Sequence, residues 1–289
     1  MIPAMNITAW ASVAPWAELR QIEQDLIISR AVIELFSDDF LREQLRFRGG
    51  TALNKLHFPE PLRYSEDIDL VRTTHGPIGS ILDRLRVVLG WLGHAAFEQS
   101  SVSPKLIYQV DAEDGGAPLR LKVEINTHET RAFDGAHEIR YAVDNPWFSG
   151  EVMIPTFSPE EMLATKLRAL LQRDKGRDLL DLSHAMSVLD GLNMARVLEL
   201  FSQYMAQGGQ SLSRAQAEER MLAKLSNPGF LSDIRPLLSA DAADRLTDKA
   251  IMSAFTQVFT DLIALIPGHP WARTPEIVEH FGVRLSGDD

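Results

Sequence analysis

Residues 48–70 read RGGTALNKLHFPEPLRYSEDIDL, and two features stand close together in them: a Gly-Gly-Thr turn that opens a short helical run, and two aspartates separated by one isoleucine. Asp67-Ile68-Asp69-Leu70-Val71 alternates polar with apolar residues, the period of a half-buried strand. On such a strand both carboxylates leave the same face, while Ile68 and Leu70 pack the other. Two carboxylates so placed repel each other unless a cation lies between them, and a hard ion such as Mg²⁺ is their natural partner.

Upstream, Leu45 and Phe47 end an alternating apolar run, Gly49 and Gly50 let the backbone approach a ligand closely, and a helix is predicted over 51–56. Bare backbone N–H groups at a helix start, with the Thr51 hydroxyl beside them, favour phosphate. The spacing is not that of a P-loop. A strand, a Gly-Gly turn, a helix and a D-x-D strand in that order describe the nucleotide-binding core of the polymerase-beta-like nucleotidyltransferases. More narrowly, FRGGTALNK followed by RYSEDIDL resembles the AbiEii/AbiGii toxin family, including the MenT-type toxins, whose usual wording is FKGGTxLxK and RFSEDIDL. Arg48 stands where lysine is common and Tyr64 where phenylalanine is common. The resemblance is tight in this stretch and in a second one around Lys166, and looser across residues 15–190.

With 289 residues the chain has enough length for one large domain or two small ones, and its 45% hydrophobic and 24% charged residues are those of an ordinary soluble globular protein. Twenty-nine basic residues against 40 acidic ones give a formal net charge of −11. A uniformly basic nucleic-acid surface is thereby excluded, and any RNA contact has to be local. The absence of cysteine removes disulfides, thiolate zinc sites and cysteine nucleophiles. No signal-peptide pattern opens the chain and no apolar run approaches a membrane span, so a cytoplasmic protein is expected.

Apolar positions at Leu19, Ile22, Leu26, Ile27 and Ile33 predict an amphipathic helix over 15–36, and a second helix is expected over 78–92. Residues 106–110 and 119–126, joined by Asp114-Gly115-Gly116, read as a hairpin. In its second strand Leu119, Leu121, Val123 and Ile125 face one way and Arg120, Lys122, Glu124 and Asn126 the other. Glu124 then either joins the two aspartates as a third metal ligand and accepts the attacking hydroxyl's proton, or pairs with Lys122 or Arg120 on a solvated sheet face. Residues 127–156 are expected to be loops and short strands closing the sheet, with core packing or base stacking open to Phe133, Tyr141, Trp147 and Phe148.

Ser158-Pro159-Glu160-Glu161 announces a helix that runs through Lys166 to about Leu171, breaks at Gly176 and restarts into 179–189. This second stretch, EEMLATKLRALLQRDKGRDLLDL, resembles the family's KLxAL helix followed by RDxxDL, with Lys166, Arg177, Asp178 and Asp181 at the matching positions. A lysine in an otherwise apolar helix, followed by a cationic loop, suits the phosphates of a nucleoside triphosphate, while a surface network with Asp174 and Asp178 is the competing reading. Beyond residue 193, Pro-Gly punctuation between amphipathic runs predicts a helical bundle, a last short helix opening at Thr274-Pro275 and a frayed LSGDD tail. No histidine has metal-ligand spacing and no G-x-S-x-G elbow occurs, so a hydrolase has little support.

Together these features predict an α+β protein: a polymerase-beta-like nucleotidyltransferase core with a mixed sheet at residues 1–157, and a helical domain at 158–289 contributing Lys166 and the RDxxD segment to a cleft. Asp67, Asp69 and Glu124 are the expected metal ligands, for two Mg²⁺ ions. Gly49, Gly50, Thr51 and Ser65 are expected to cradle the phosphates, assisted by Arg48, Arg63 and Lys166. The family resemblance implies more: Arg177, Asp178 and Asp181 at the nucleotide, transfer of a nucleotide from an NTP to the 3′ end of tRNA, a block of translation, and a cognate antitoxin. Arg168, Arg173, Lys175 and Arg177 form the candidate RNA patch. Transfer to a protein or small molecule, and a non-catalytic nucleotide-binding regulator, are the alternatives.

Overall fold

The first of two compact units, Met1–Ser158, runs α1 (Ala4–Trp10), α2 (Leu19–Ser37), α3 (Asp39–Gln44), β1 (Leu45–Arg48), α4 (Gly49–Ala52, continued by a π turn at Leu53–His57), β2 (Asp67–Arg72), α5 (Gly79–Val88), β3 (Ala95–Glu98), β4 (Lys105–Val110), β5 (Leu119–Asn126), β6 (His137–Asn145) and β7 (Phe148–Thr156). The computed structural model describes residues 2–100, 103–227, 229–232 and 234–283; the LSGDD tail lies outside them.

A five-stranded mixed sheet in the order β1-β2-β5-β4-β3 is the frame of this unit. β2 and β5 are parallel and the other neighbours antiparallel. Strict alternation sorts the side chains: Leu45, Phe47, Ile68, Val123 and Ile125 are fully buried on one face. Residues paired across neighbouring strands share a face. Asp69 is opposite Arg48 on one side and Glu124 on the other, and Asp67 is opposite Lys122, so this one register gathers the charges of three strands on the polar face.

α2 departs from the amphipathic helix expected, starting at Leu19 rather than near residue 15 and lying buried on nearly every side. Its N-terminus is closed by a reciprocal capping box between Glu18 and Gln21. It packs on the five-stranded sheet and also on β6 and β7, so even its polar side chains are enclosed, and each has a partner. Glu23 accepts from the Glu113 N–H at 3.0 Å, Gln24 donates to the Arg120 carbonyl at 2.8 Å, and Asp25 takes up the buried network described below. Leu26, Leu35 and Phe36 are fully buried, and truncating any of them to alanine is expected to cost about 2–5 kcal/mol.

Of the loops and short strands expected over 127–156 to close the sheet, the loops hold up to residue 136, and the rest forms two nine-residue strands, β6 and β7, paired antiparallel as a separate two-stranded sheet. Two features disguise them. The turn between them is Pro146-Trp147 rather than a glycine-containing pair, and Gly150 and Pro155 dilute the strand signal in β7. Gly150 serves close packing: a Cβ there would lie 3.0 Å from Ile33 Cγ2 on α2. The Thr156 hydroxyl donates to the Phe47 carbonyl at 2.8 Å, fastening the end of β7 to β1.

The second unit, Pro159–Asp289, is helical: α6 (Pro159–Gln172), α7 (Gly176–Val188), α8 (Met194–Gln207), α9 (Arg214–Ala223), α10 (Gly229–Ser232), α11 (Ala240–Arg245), α12 (Asp248–Asp261) and α13 (Thr274–Phe281). Gly176 is required where α7 begins, because a Cβ would meet the Phe230 carbonyl and lie 2.8 Å from Ile234 Cδ1. Glu161, in the first turn of α6, is fully buried and accepts from the Tyr204 hydroxyl at 2.7 Å, joining α6 to α8. The Thr274 hydroxyl does not cap α13 as expected but donates to Glu218 of α9 at 2.6 Å. Among the described residues no helix is long and apolar enough to cross a membrane.

Candidate functional site

Asp67 and Asp69 leave the polar face of β2 as the alternation requires. Gly49 enters α4 with φ +86°, and a Cβ on it would run into the Asp69 carboxylate and lie 2.9 Å from Asp69 Cβ, so the first glycine of the turn exists to let that carboxylate in. Burial pushes the Asp69 carboxyl above the usual carboxylate range; the charge of Asp67 adds to this, and Lys122 only partly offsets it. A dication would relieve that strain in charge.

Glu124 has taken up the pairing with Lys122. The Lys122 ammonium lies 2.9 Å from Asp67 and 3.1 Å from Glu124, with Lys105 at 4.0 Å from Glu124 on the other side. Burial alone would raise the Glu124 carboxyl, but hydrogen bonds from Ser103 and Lys122 and the charges of Lys122 and Lys105 hold it below the usual range. Among the described residues no three histidine or acidic side chains are gathered so as to hold an ion. Two carboxylates with hard oxygen donors nevertheless fit Mg²⁺, which ordinarily takes one or two protein carboxylates and completes its shell with phosphate oxygens and water.

The second glycine makes room for an arginine. A Cβ on Gly50 would lie 2.5 Å from Arg63 Nη2 and 3.3 Å from Ser65 Oγ, and Arg63, though cationic, is only 3% exposed. Asn54 assembles this corner: its amide NH₂ donates to the Gly50 carbonyl at 2.9 Å, and its carbonyl accepts from the Leu62 and Arg63 N–H groups at 2.8 and 3.1 Å. The loop leading into β2 is thereby fixed against the turn, and Ser65 comes to rest 2.8 Å from the Thr51 hydroxyl. Thr51 has one proton, and its 2.5 Å contact to the Asp67 carbonyl claims it, which leaves Ser65 as the donor between the two hydroxyls. Arg48 reaches the other way, to Glu129 at 2.6 Å.

Two residues of this corner were not singled out from the sequence. Lys55 and Asp25 form a buried ion pair of 2.8 Å, with side chains 9% and 7% exposed. Asp25 also accepts from the indole N–H groups of Trp10 at 2.9 Å and Trp16 at 3.3 Å, Lys55 donates to Ser29 at 2.9 Å, and the Tyr141 hydroxyl donates to the same Ser29 oxygen at 3.0 Å. Burial would lower the Lys55 pKa, but Asp25 and Tyr141 outweigh it and the ammonium is held charged. Lys55 follows Thr51 by four residues, the spacing of one helix face, and that was the available signal.

In the second unit Lys166 is 7% exposed and bonds Asp181 at 2.7 Å and Asp178 at 3.3 Å, both carboxylates fully buried. Arg173 grips Asp178 bidentately at 2.7 and 2.9 Å. Burial pushes the Asp178 carboxyl up, yet the charge of Lys166 and the bonds from Arg173 bring it below the usual range. This network is interior, not the surface lattice considered from the sequence, and Asp174 is engaged elsewhere, by Lys224 at 2.6 Å. Of the candidate RNA patch, Arg168 lies over the Tyr204 ring at 5.2 Å, Lys175 is exposed and Arg177 is half-buried.

The family profile described as nucleotidyl transferase AbiEii toxin, type IV toxin-antitoxin system, matches residues 30–261. The chain belongs to the AbiEii nucleotidyltransferase toxin family. Among solved structures, MenT4, a nucleotidyltransferase toxin of Mycobacterium tuberculosis H37Rv, is similar at a TM-score of 0.55 and 18% identity, with 99% of this chain and 100% of that chain covered. The JHP933 protein of Helicobacter pylori is similar at a TM-score of 0.50 and 14% identity over 92% of this chain and 95% of its own. At these identities the likeness is one of fold. No curated protein matches the chain.

Proposed function

We propose that this AbiEii-family chain transfers a nucleoside monophosphate from an NTP to the 3′ end of tRNA and so blocks translation. The supporting observation is the pair Asp67 and Asp69 on one strand face, with Asp69 seated on Gly49 at the mouth of a turn that presents Gly50, Thr51, Ser65 and Arg63. Magnesium bound by the two aspartates would supply charge neutralisation at the triphosphate and activation of the attacking hydroxyl. Gly49, Gly50, Thr51 and Ser65 receive the phosphates, with Arg63 behind the turn. Lys122 and Glu124 set the charge balance around Asp67. Lys166, with Asp178 and Asp181, is assigned to the nucleotide on the family pattern.

In the reaction the acceptor's terminal hydroxyl oxygen bonds to the α-phosphorus, the bond from that phosphorus to the bridging oxygen breaks, and pyrophosphate leaves. The hydroxyl's proton is lost to solvent. A cognate antitoxin is the expected partner. Incubating the protein with each α-labelled NTP, Mg²⁺ and total tRNA tests the reading. Label on the tRNA 3′ end is expected, whereas label on protein, or on nothing, refutes the tRNA assignment.

A further inference from the structure

A cavity of about 170 Å³ opens beside the Gly-Gly turn. Its walls are ring-shaped side chains: Trp16, Phe58 and Tyr141, with Pro59 and Pro61. Thr51, Ser65 and Arg63, the residues assigned above to the phosphate corner, line it too. The Lys55–Asp25 pair is part of the lining, and its hydrogen-bonding capacity is spent on Trp10, Trp16 and Ser29. An ion pair so committed offers no bare charge, so what the cavity selects, it selects by shape and ring contact.

The walls are held in place by the same network. The Trp16 indole is pinned to Asp25 by its N–H and meets the Tyr64 ring edge-on at 6.2 Å, and the Tyr141 hydroxyl is tied to Ser29. Size narrows the occupant. An apolar cavity of about 150 Å³ accepts one benzene ring, so this one matches a single six-membered ring and is small for two fused rings. A nucleotide whose phosphates lie on Thr51 and Ser65 has its base within reach of a cavity that those two side chains also line.

We infer that this cavity receives the base of the incoming nucleotide and, by its size, selects a single-ring base, so that pyrimidine nucleoside triphosphates are preferred over purine ones. The inference rests on the nucleotidyltransferase reading above and gives that site a substrate class. Trp16 supplies the probe. Titrating the intact protein with CTP, UTP, ATP, GTP and inorganic tripolyphosphate, without acceptor, should quench tryptophan emission with pyrimidine triphosphates at concentrations about tenfold or more below those needed for purine ones. Tripolyphosphate should bind in calorimetry without quenching, and Trp16→Phe should remove the quench. Val13 also lines the cavity and is 49% exposed, so Val13→Trp should fill the cavity without disturbing the fold. It should weaken CTP binding by about tenfold or more while leaving tripolyphosphate binding unchanged. Purine triphosphates binding as well as pyrimidine ones, or CTP binding untouched in Val13→Trp, would overturn the inference. If the wild type still labels an acceptor in that case, the nucleotidyltransferase reading stands and only the base pocket falls.

Discussion

Lys122 and Asp67 face each other across the parallel strands β5 and β2, with the ammonium 2.9 Å from the carboxylate and 3.1 Å from Glu124. A lysine therefore holds a position that a divalent ion at Asp67 must contest. Lys122→Met should tighten binding of Mn²⁺ to the nucleotide-free protein by about tenfold, measured by calorimetry or by loss of the free-ion paramagnetic signal. Unchanged ion affinity would show that the lysine and the ion do not compete.

Asp69→Asn should abolish transfer and yet stabilise the protein. Burial and Asp67 raise the Asp69 pKa, and an acid whose folded pKa lies above its unfolded value weighs against folding once the pH exceeds it. The amide removes that charge. A gain of about 1 kcal/mol, seen as a few degrees in Tm, is expected beside the lost activity. A fall in Tm would mean that the carboxylate is satisfied where it stands.

Gly49→Ala should abolish transfer with the opposite effect on stability. The position has φ +86° and its Cβ would press into Asp69. The left-handed backbone alone costs an alanine about 1–2 kcal/mol, with the displaced carboxylate in addition. Urea denaturation beside Asp69→Asn separates the two cases by sign.

Lys166→Met removes the cation between two fully buried carboxylates. Breaking a buried pair on one side typically costs about 3–5 kcal/mol, whereas loss of a surface lysine is near neutral. Chemical denaturation should show that cost in the second unit. At temperatures where the variant stays folded, KM for NTP should rise. A silent substitution would show that the two buried carboxylates do not depend on the lysine and that it takes no part at the nucleotide.

His57 predicts a pH dependence. Burial lowers its pKa from 6.5 to about 4, and its Nε2 is enclosed without a partner. A group whose folded pKa is depressed contributes stability that is complete above the unfolded value and is lost as pH falls toward the folded one. Between pH 6.5 and about 4 the unfolded chain binds a proton that the folded one does not, a loss of roughly 2–3 kcal/mol. Urea midpoints over that range should fall in the wild type and flatten in His57→Leu.

Much of this was legible in the sequence. The alternation of Asp67-Ile68-Asp69 and of residues 119–126, and the Gly-Gly turn between strand and helix, follow from local periodicity and backbone freedom, and the α+β nucleotidyltransferase fold follows from their order. Register is another matter. That Asp67 faces Lys122 is set by how a crossover aligns two parallel strands far apart in the chain, and no local pattern encodes it. Asp25 was invisible for a related reason. A charged residue in a helix reads as solvent-facing until a second layer covers it, and that layer, Trp10, Trp16 and Tyr141, arrives from opposite ends of the unit. The same holds for Asp178 and Asp181, whose complete burial turns an apparent surface lattice into an interior one.

The bond from Thr156 to the Phe47 carbonyl, with α2 enclosed between the sheet and the β6–β7 hairpin, has a consequence in time. During synthesis Asp67 and Asp69 emerge from the ribosome long before the strand that fastens β1 and covers α2. Until β7 has been made, α2 lacks one of its two coverings and the Gly-Gly turn hangs from an unfastened edge strand. While residues 70–156 are being added, a growing chain of this protein thus carries Asp67 and Asp69 without the scaffold that aims them.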